Sequence, residues 1–354
     1  MIEDRLTRVR GYLEDERADA LLVTKPANVR YLSGFSGSWG VLYITQDYAE
    51  LITDGRYIVQ AQEETKGWPG EIHIVSQGET LSKRVAQLAP KRLGIEKSVT
   101  LEVYTKLVDT LNDTKVFPVE GWIEKLRMVK APEEIELLKA AIEAAEEAFV
   151  AVFDDPPLGS KEFEIAAELE YQMRKLYGAL PAFETIVAVG ERAAMPHAQP
   201  SHEVWTGDKP LLVDMGAVLN GYHSDFTRVV LPENPTPKAL EVFNAVEEAL
   251  CAAVDAARPG MKASELDAVA RKVLENRGLA KYFTHSLGHG VGLEIHEGPS
   301  ISPSSEVELE EGMVFTIEPG VYIPGQVGIR LEEMVMLTST GSQVLTSLPR
   351  EFRA

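Results

Sequence analysis

With 354 residues, 45% of them apolar and 25% charged, the chain has the make-up of a globular protein too long for one small core, and two domains are expected. A formal net charge of -20 excludes a nucleic-acid backbone as partner, because phosphate binding needs a basic surface; the acidity is read as solubility. One cysteine, Cys251, leaves no disulfide within the chain and is read as a buried core thiol in an Ala-rich helix.

In chain order, residues 2–16 have a charged amphipathic helix pattern and 20–24 form a short apolar strand. Residues 41–45 and 50–53 read as two strands around the turn-like Gln46-Asp47, 58–65 as helix and 92–96 as a buried strand. This alternation predicts an α/β layer architecture for the first domain. The character changes at 123–131, where EKLRMVK is followed by Pro132, a residue suited to a helix's first turn. We therefore expect domains over 1–125 and 126–354.

Residues 133–153 carry apolar side chains at helical spacing. A second helix is expected from Ser160 as N-cap, a third over 237–257, and a fourth from Ser264, where Ser-Glu-Leu-Asp resembles a capping box. Strand-rich blocks lie at 185–189, 210–231 and 313–337, so that a helical pair and a carboxylate-bearing strand pair occur twice. No apolar run of about 18 residues is present and the N-terminal stretch has no signal core, which predicts a cytoplasmic protein with no membrane partner.

Six of the seven histidines fall between His197 and His296, interleaved with or followed by Asp214, Asp225, Glu318 and Glu332. One imidazole with several carboxylates makes a hard, oxygen-rich cage, and two cations held close together can share a water and lower its pKa. The Asn220-Gly221 dipeptide predicts a tight hairpin in which Leu219 pairs with Tyr222, Asp214 with Thr227, and Asp225 with Gly216. Alternation then puts Asp214 and Asp225 on one face, diagonal neighbours about 7–8 Å apart. Aspartate is costly in a buried strand unless paired or ligated; two unrelated strand aspartates is the plainer reading.

Glu318 ends an apolar strand before Pro319-Gly320, and in GIRLEEMVML Arg330, Glu332 and Met334 share one face. Glu332 beside Arg330 also reads as a plain salt bridge. HSLGHGVGLEIHE supplies His285, His289 and His296 among glycines that allow close backbone approach. It has no His-Glu-x-x-His and is no zincin helix. His73 is read as structural and His202 as solvated.

The segments MPHAQPS, VDMGAVLNGYHSDFTR, HSLGHGVGLEIHEGP, EPGVYIPG and GIRLEEMV resemble those of the pita-bread metallopeptidases, in the branch of Xaa-Pro dipeptidases (prolidases) and aminopeptidase P. NVRYLSGFSGS and TDGRY resemble the creatinase/prolidase N-terminal domain, and EKLRMVKAPEEIELLKAA resembles the junction between the two domains. The resemblance covers nearly the whole chain. It implies an α+β fold: a pita-bread catalytic domain preceded by a smaller α/β domain.

It also implies five metal ligands at Asp214, Asp225, His289, Glu318 and Glu332, holding two divalent ions per subunit, Mn²⁺ foremost with Co²⁺ or Zn²⁺ as alternatives. Glu318, His197 and His296 are the implied catalytic residues, and His285, Arg330 and Tyr322 the implied substrate-binding residues. The implied reaction is hydrolysis of the Xaa-Pro bond at a free N-terminus, foremost in dipeptides, by a homodimer that takes small peptides. Aminopeptidase P, a non-proline aminopeptidase, and a metal-free binding protein or creatinase-like hydrolase are the alternatives. One departure stands out: Glu333 occupies a position where the family often has Asp, and alternation points it away from the site.

Overall fold

The computed structural model describes residues 2–354, and the chain divides into compact units over 1–127 and 128–354. The first unit is a six-stranded mixed sheet in the order Glu71–Val75, Ala49–Asp54, Gly40–Ile44, Ala20–Val23, Arg92–Glu96, Lys115–Val119. Strand Gly40–Ile44 runs antiparallel to both of its neighbours, and the remaining pairs are parallel. Strand Ala20–Val23 is apolar and buried throughout, as a central strand covered on both faces must be.

The second unit contains two larger sheets, each with its own helical pair. Helices Pro132–Phe153 and Glu162–Tyr177 bury Phe149, Ile165 and Leu169 against Val187, Val213 and Phe226. Those strand residues belong to a sheet in the order Glu351–Arg353, Phe226–Leu231, Leu211–Met215, Ile186–Val189. Helices Pro237–Ala256 and Ala263–Asn276 bury Val246, Leu266 and Ala270 against Phe315, Ile317 and Val335. The corresponding sheet runs Glu297–Ile301, Gly288–Gly290, Val314–Ile317, Glu333–Thr338, Gly341–Val344.

Two helix starts differ from the sequence expectation. Ser160 lies outside the second helix, its carbonyl taken by Trp205 N at 2.9 Å, and Lys161 is the N-cap, its N–H bonded to Glu164 Oε2 at 2.8 Å. The fourth helix begins at Ala263, with Glu265 Oε2 accepting from Lys262 N at 3.2 Å. Asp267 therefore takes no part in the cap. It pairs with Arg271 and accepts from Leu287 N at 3.0 Å, tying this helix to the histidine segment. Cys251 is partly exposed, not fully buried, and its Sγ accepts from Arg350 Nη1 at 2.8 Å. Among the described residues no helix is long and apolar enough to cross a membrane.

Candidate metal centre

The hairpin expected at Asn220-Gly221 is present: both residues have positive φ, at 51° and 81°, the geometry of a type I′ turn. Leu219 pairs with Tyr222, and the register is unbroken to Met215 opposite Phe226 and Asp214 opposite Thr227. Between the two ladders, Ser224 N donates to Ala217 O at 2.9 Å, and the Ser224 hydroxyl accepts from Ala217 N at 3.0 Å and donates to Ala141 O at 2.9 Å. A Cβ at Gly216 would lie 1.9 Å from Ser224 O, so only glycine fits opposite Asp225.

The second sheet supplies the other three groups. His289 sits in the strand Gly288–Gly290, its N–H held by Thr316 Oγ1 at 3.1 Å. Gly288 and Gly290 press on neighbouring backbone so closely that a Cβ would come within 1.9 Å of Thr316 O and 2.0 Å of Gly298 O respectively. Glu318 follows the strand Val314–Ile317, with its N–H on Leu287 O at 2.8 Å, and Glu332 precedes the strand Glu333–Thr338, with its N–H on Thr227 O at 3.3 Å.

These elements bring the five side chains to one cavity of about 510 Å³, lined by Asp214, Asp225, His289, Glu318 and Glu332 together with His197, His285, His296 and Arg330. One ligand-type atom from each of Asp225, His289 and Glu332 lies within 4.8 Å of the others. His289 Nε2 lies 3.3 Å from Glu318 Oε1 and 3.5 Å from Asp225 Oδ2. Its Nδ1 faces the carbonyl of Gly290 at 3.1 Å; a carbonyl only accepts, so Nδ1 carries a proton and Nε2, turned to the cavity, is the nitrogen that would ligate a cation once its own proton is displaced.

Electrostatically the cluster is unfavourable as bare protein. Burial, then repulsion from neighbouring carboxylates, raises the Asp225 and Glu332 pKa values well above the ordinary range. Asp214 is also raised by burial, despite Arg330. For Glu318 burial is outweighed by His289, which lowers its pKa; Glu318 in turn outweighs burial at His289 and raises that imidazole. Two buried oxygens, Asp214 Oδ1 and Glu332 Oε1, have no hydrogen-bond partner among the described residues. A hard divalent cation answers all of these features at once, and the donor set of four carboxylates and one imidazole fits it.

Arg330 pairs with Asp214 and not with Glu332: Nη2 donates to Asp214 Oδ2, Nη1 to the Tyr322 hydroxyl at 2.8 Å and Nε to Thr227 Oγ1 at 3.2 Å. Thr227 Oγ1 donates onward to Glu332 Oε2 at 2.7 Å. The Tyr322 hydroxyl, pushed up to about 12 by burial, donates to His285 Nε2 at 2.8 Å. Tyr322 lies behind the cavity wall and is 5% exposed. Burial lowers the pKa of His285 and His296 alike. His197 and His296 are exposed on the cavity wall, and the His296 ring meets that of His289 edge to face at 4.3 Å.

His73 bonds Glu79 at 3.0 Å, and His202 is exposed beside Phe163. Thr227 carries no chemical signal of its own in the sequence, although alternation along the hairpin places it on the same face as Asp225. Glu333 does point away from the cavity, but into a buried cluster with Arg228, Arg350 and Thr346.

Residues 5–129 match the Creatinase/Prolidase N-terminal domain. The chain is 37% identical to the Xaa-Pro dipeptidase of Pyrococcus furiosus over 99% of both chains. It superimposes on the Xaa-Pro dipeptidase from Bacillus anthracis with a TM-score of 0.94 and 35% identity, over 100% of this chain and 99% of that one. An X-Pro aminopeptidase from Thermotoga maritima is similar at TM-score 0.88 and 40% identity, over 96% and 100% of the two chains. Residues 136–339 match the Metallopeptidase family M24, and with the cation-seeking cluster inside that span, the chain belongs to this metallopeptidase family and has its pita-bread fold.

Proposed function

We propose that the protein is an Xaa-Pro dipeptidase. The observation that carries this reading is one cavity containing a cation-seeking cluster, in a chain that corresponds end to end with proteins named Xaa-Pro dipeptidase. Asp214, Asp225, His289, Glu318 and Glu332 are assigned as ligands of two divalent ions, with Mn²⁺ first because the donors are mostly carboxylate. Bound there, such ions supply Lewis acidity toward a carbonyl and lower the pKa of water.

The chain's own residues do the rest. Glu318 accepts and passes on the proton of the attacking water. His197 and His296 stand on the wall where the oxygen of the tetrahedral intermediate develops charge, and donate to it. The peptide nitrogen before proline has no N–H, so a site that grips carbonyl and free amine loses nothing on this bond. Arg330 has its fork engaged by Asp214, Tyr322 and Thr227, and we assign it to orienting Asp214. His285 lines the cavity with Nδ1 on Ser286 O and Nε2 on the Tyr322 hydroxyl, each at 2.8 Å, and we assign it as the partner of a substrate carboxylate in its imidazolium form, the carboxylate taking the place of that hydroxyl at Nε2.

The cytoplasm is the proposed location, supported by a single cysteine in the whole sequence, and a homodimer the proposed assembly, supported by the family resemblance alone. A second reading, removal of the N-terminal residue from longer Xaa-Pro peptides, is favoured by the 40% identity with an X-Pro aminopeptidase.

The deciding experiment is a substrate panel with added Mn²⁺: an Xaa-Pro dipeptide, its C-terminal amide, the peptide extended by one residue, and a dipeptide without proline. The dipeptide should exceed the amide and the longer peptide by about tenfold in kcat/KM, since a charge-assisted bond to a buried carboxylate outweighs a neutral one. Equal or better cleavage of the longer peptide selects the second reading.

A further inference from the structure

Lys130 closes the EKLRMVK segment, two residues before the helix Pro132–Phe153. Its side chain is 1% exposed, and Nζ lies 3.0 Å from Glu297 Oε1, on a side chain 4% exposed. Nζ also donates to Met128 O at 3.3 Å. The backbone is anchored separately: Lys130 N donates to Gly312 O at 2.9 Å, and Val129 bridges to Met313. An ion pair buried this deeply adds little net stability, because desolvation of both charges offsets their attraction. Its value lies in fixing geometry, and its surroundings show which geometry.

Glu297 directly follows His296, and across the hairpin it pairs with Gly290, the residue after His289. The intervening turn is wrapped around the Glu297 carboxylate. Oε2 accepts from Glu294 N at 3.4 Å, and a Cβ on Gly292 would lie 2.5 Å from Oε1. Gly292 N donates to Glu294 O at 3.1 Å, while Gly292 O accepts from His223 N at 2.9 Å. Neither Lys130 nor Glu297 lines the cavity that His296 faces.

We propose that Lys130 is a positioning residue: its buried ion pair with Glu297 sets the path of residues 291–296 and so places His296 against the substrate. The junction segment thereby acts on the reaction through one side chain, without touching substrate or cation. The catalytic part of this inference rests on the dipeptidase reading; the structural part does not.

The test uses the full-length, cation-loaded protein in four forms: wild type, Lys130→Met, Lys130→Arg, and the double variant Lys130→Met/Glu297→Gln. Two readouts are followed, steady-state kinetics on an Xaa-Pro dipeptide and hydrogen exchange of residues 291–296. Lys130→Met should lower kcat at least about tenfold with KM within about threefold and metal content unchanged, the pattern of a group acting on the chemical step. Lys130→Arg, which keeps the charge, should recover most of that loss. The double variant removes both charges of the pair, so its thermal midpoint should lie above that of Lys130→Met while kcat stays low and exchange in 291–296 stays fast.

A double variant that regains wild-type turnover along with its thermal midpoint overturns the proposal and leaves the pair purely structural. Turnover within about twofold of wild type in all variants overturns it equally. If Lys130→Met fails to fold, the double variant carries the comparison. If wild type cleaves no Xaa-Pro dipeptide, the functional reading falls, and the exchange rates alone decide: unchanged exchange in Lys130→Met or the double variant removes the clamp.

Discussion

Arg330 donates to Asp214 from one arm of its guanidinium and to Tyr322 from the other, and both nitrogens are buried with their partners. This places the arginine between a ligand and a hydroxyl that in turn reaches His285. Arg330→Lys keeps the charge but cannot serve all of these acceptors, since an ammonium lacks the planar fork. We expect kcat/KM to fall at least about tenfold, about 1.4 kcal/mol, while the preference for a free over an amidated dipeptide is retained. Loss of that preference would instead make Arg330 the substrate's carboxylate partner.

Glu318→Gln keeps the shape of the side chain and removes a charged ligand and the proposed proton acceptor. A loss of at least about a hundredfold in turnover is expected, the usual scale for a displaced acid or base. A variant with both metals bound and turnover within a few-fold of wild type would take Glu318 out of the proton transfer.

His289→Ala and His296→Ala should separate by metal content. The first deletes the imidazole whose Nε2 faces Asp225 and Glu318, so bound metal should fall. The second removes a ring on the cavity wall and should leave metal content intact while turnover drops. Elemental analysis beside steady-state rates checks both; equal metal loss in the two variants would reverse the assignment.

The cluster also predicts how cations and pH act together. Asp225 and Glu332 have folded pKa values raised by burial and by neighbouring carboxylates, in protein without metal. A raised carboxyl contributes stability that is complete below its unfolded pKa and lost as pH rises through the folded one. Metal-free protein is therefore penalised at neutral pH relative to mild acid, and a cation removes the penalty by taking the place of the protons. The rise in thermal midpoint on adding Mn²⁺ should be larger at about pH 7.5 than at about pH 5, and loading should release protons to the buffer. An increment that is equal at both, or larger in acid, would contradict this picture.

The parts of the site legible in the sequence are those set by local rules. Asn220-Gly221 dictates its turn, the turn dictates the register, and the register places Asp214 opposite Thr227. The partner of Arg330 is not legible. Its neighbour in sequence is Glu332, but the charge it meets is Asp214, more than a hundred positions away on another strand. Lys130 and Glu297 are similar: they stand far apart in sequence with nothing to pair them, and the fold buries both side chains together. The misplaced helix starts have a simpler cause. Ser160 and Ser264 match a capping preference, but Glu164 and Glu265 reach back to lysine N–H groups and set the start elsewhere.

The two sheets of the second unit each contribute an incomplete ligand set: Asp214 and Asp225 from one, His289, Glu318 and Glu332 from the other. A cation bound by both is a removable cross-link between segments distant in sequence, doing reversibly what a covalent bridge does in a secreted protein. Chelation would then cut that link without breaking any chain, and the cation's free concentration would set how firmly the two halves hold together.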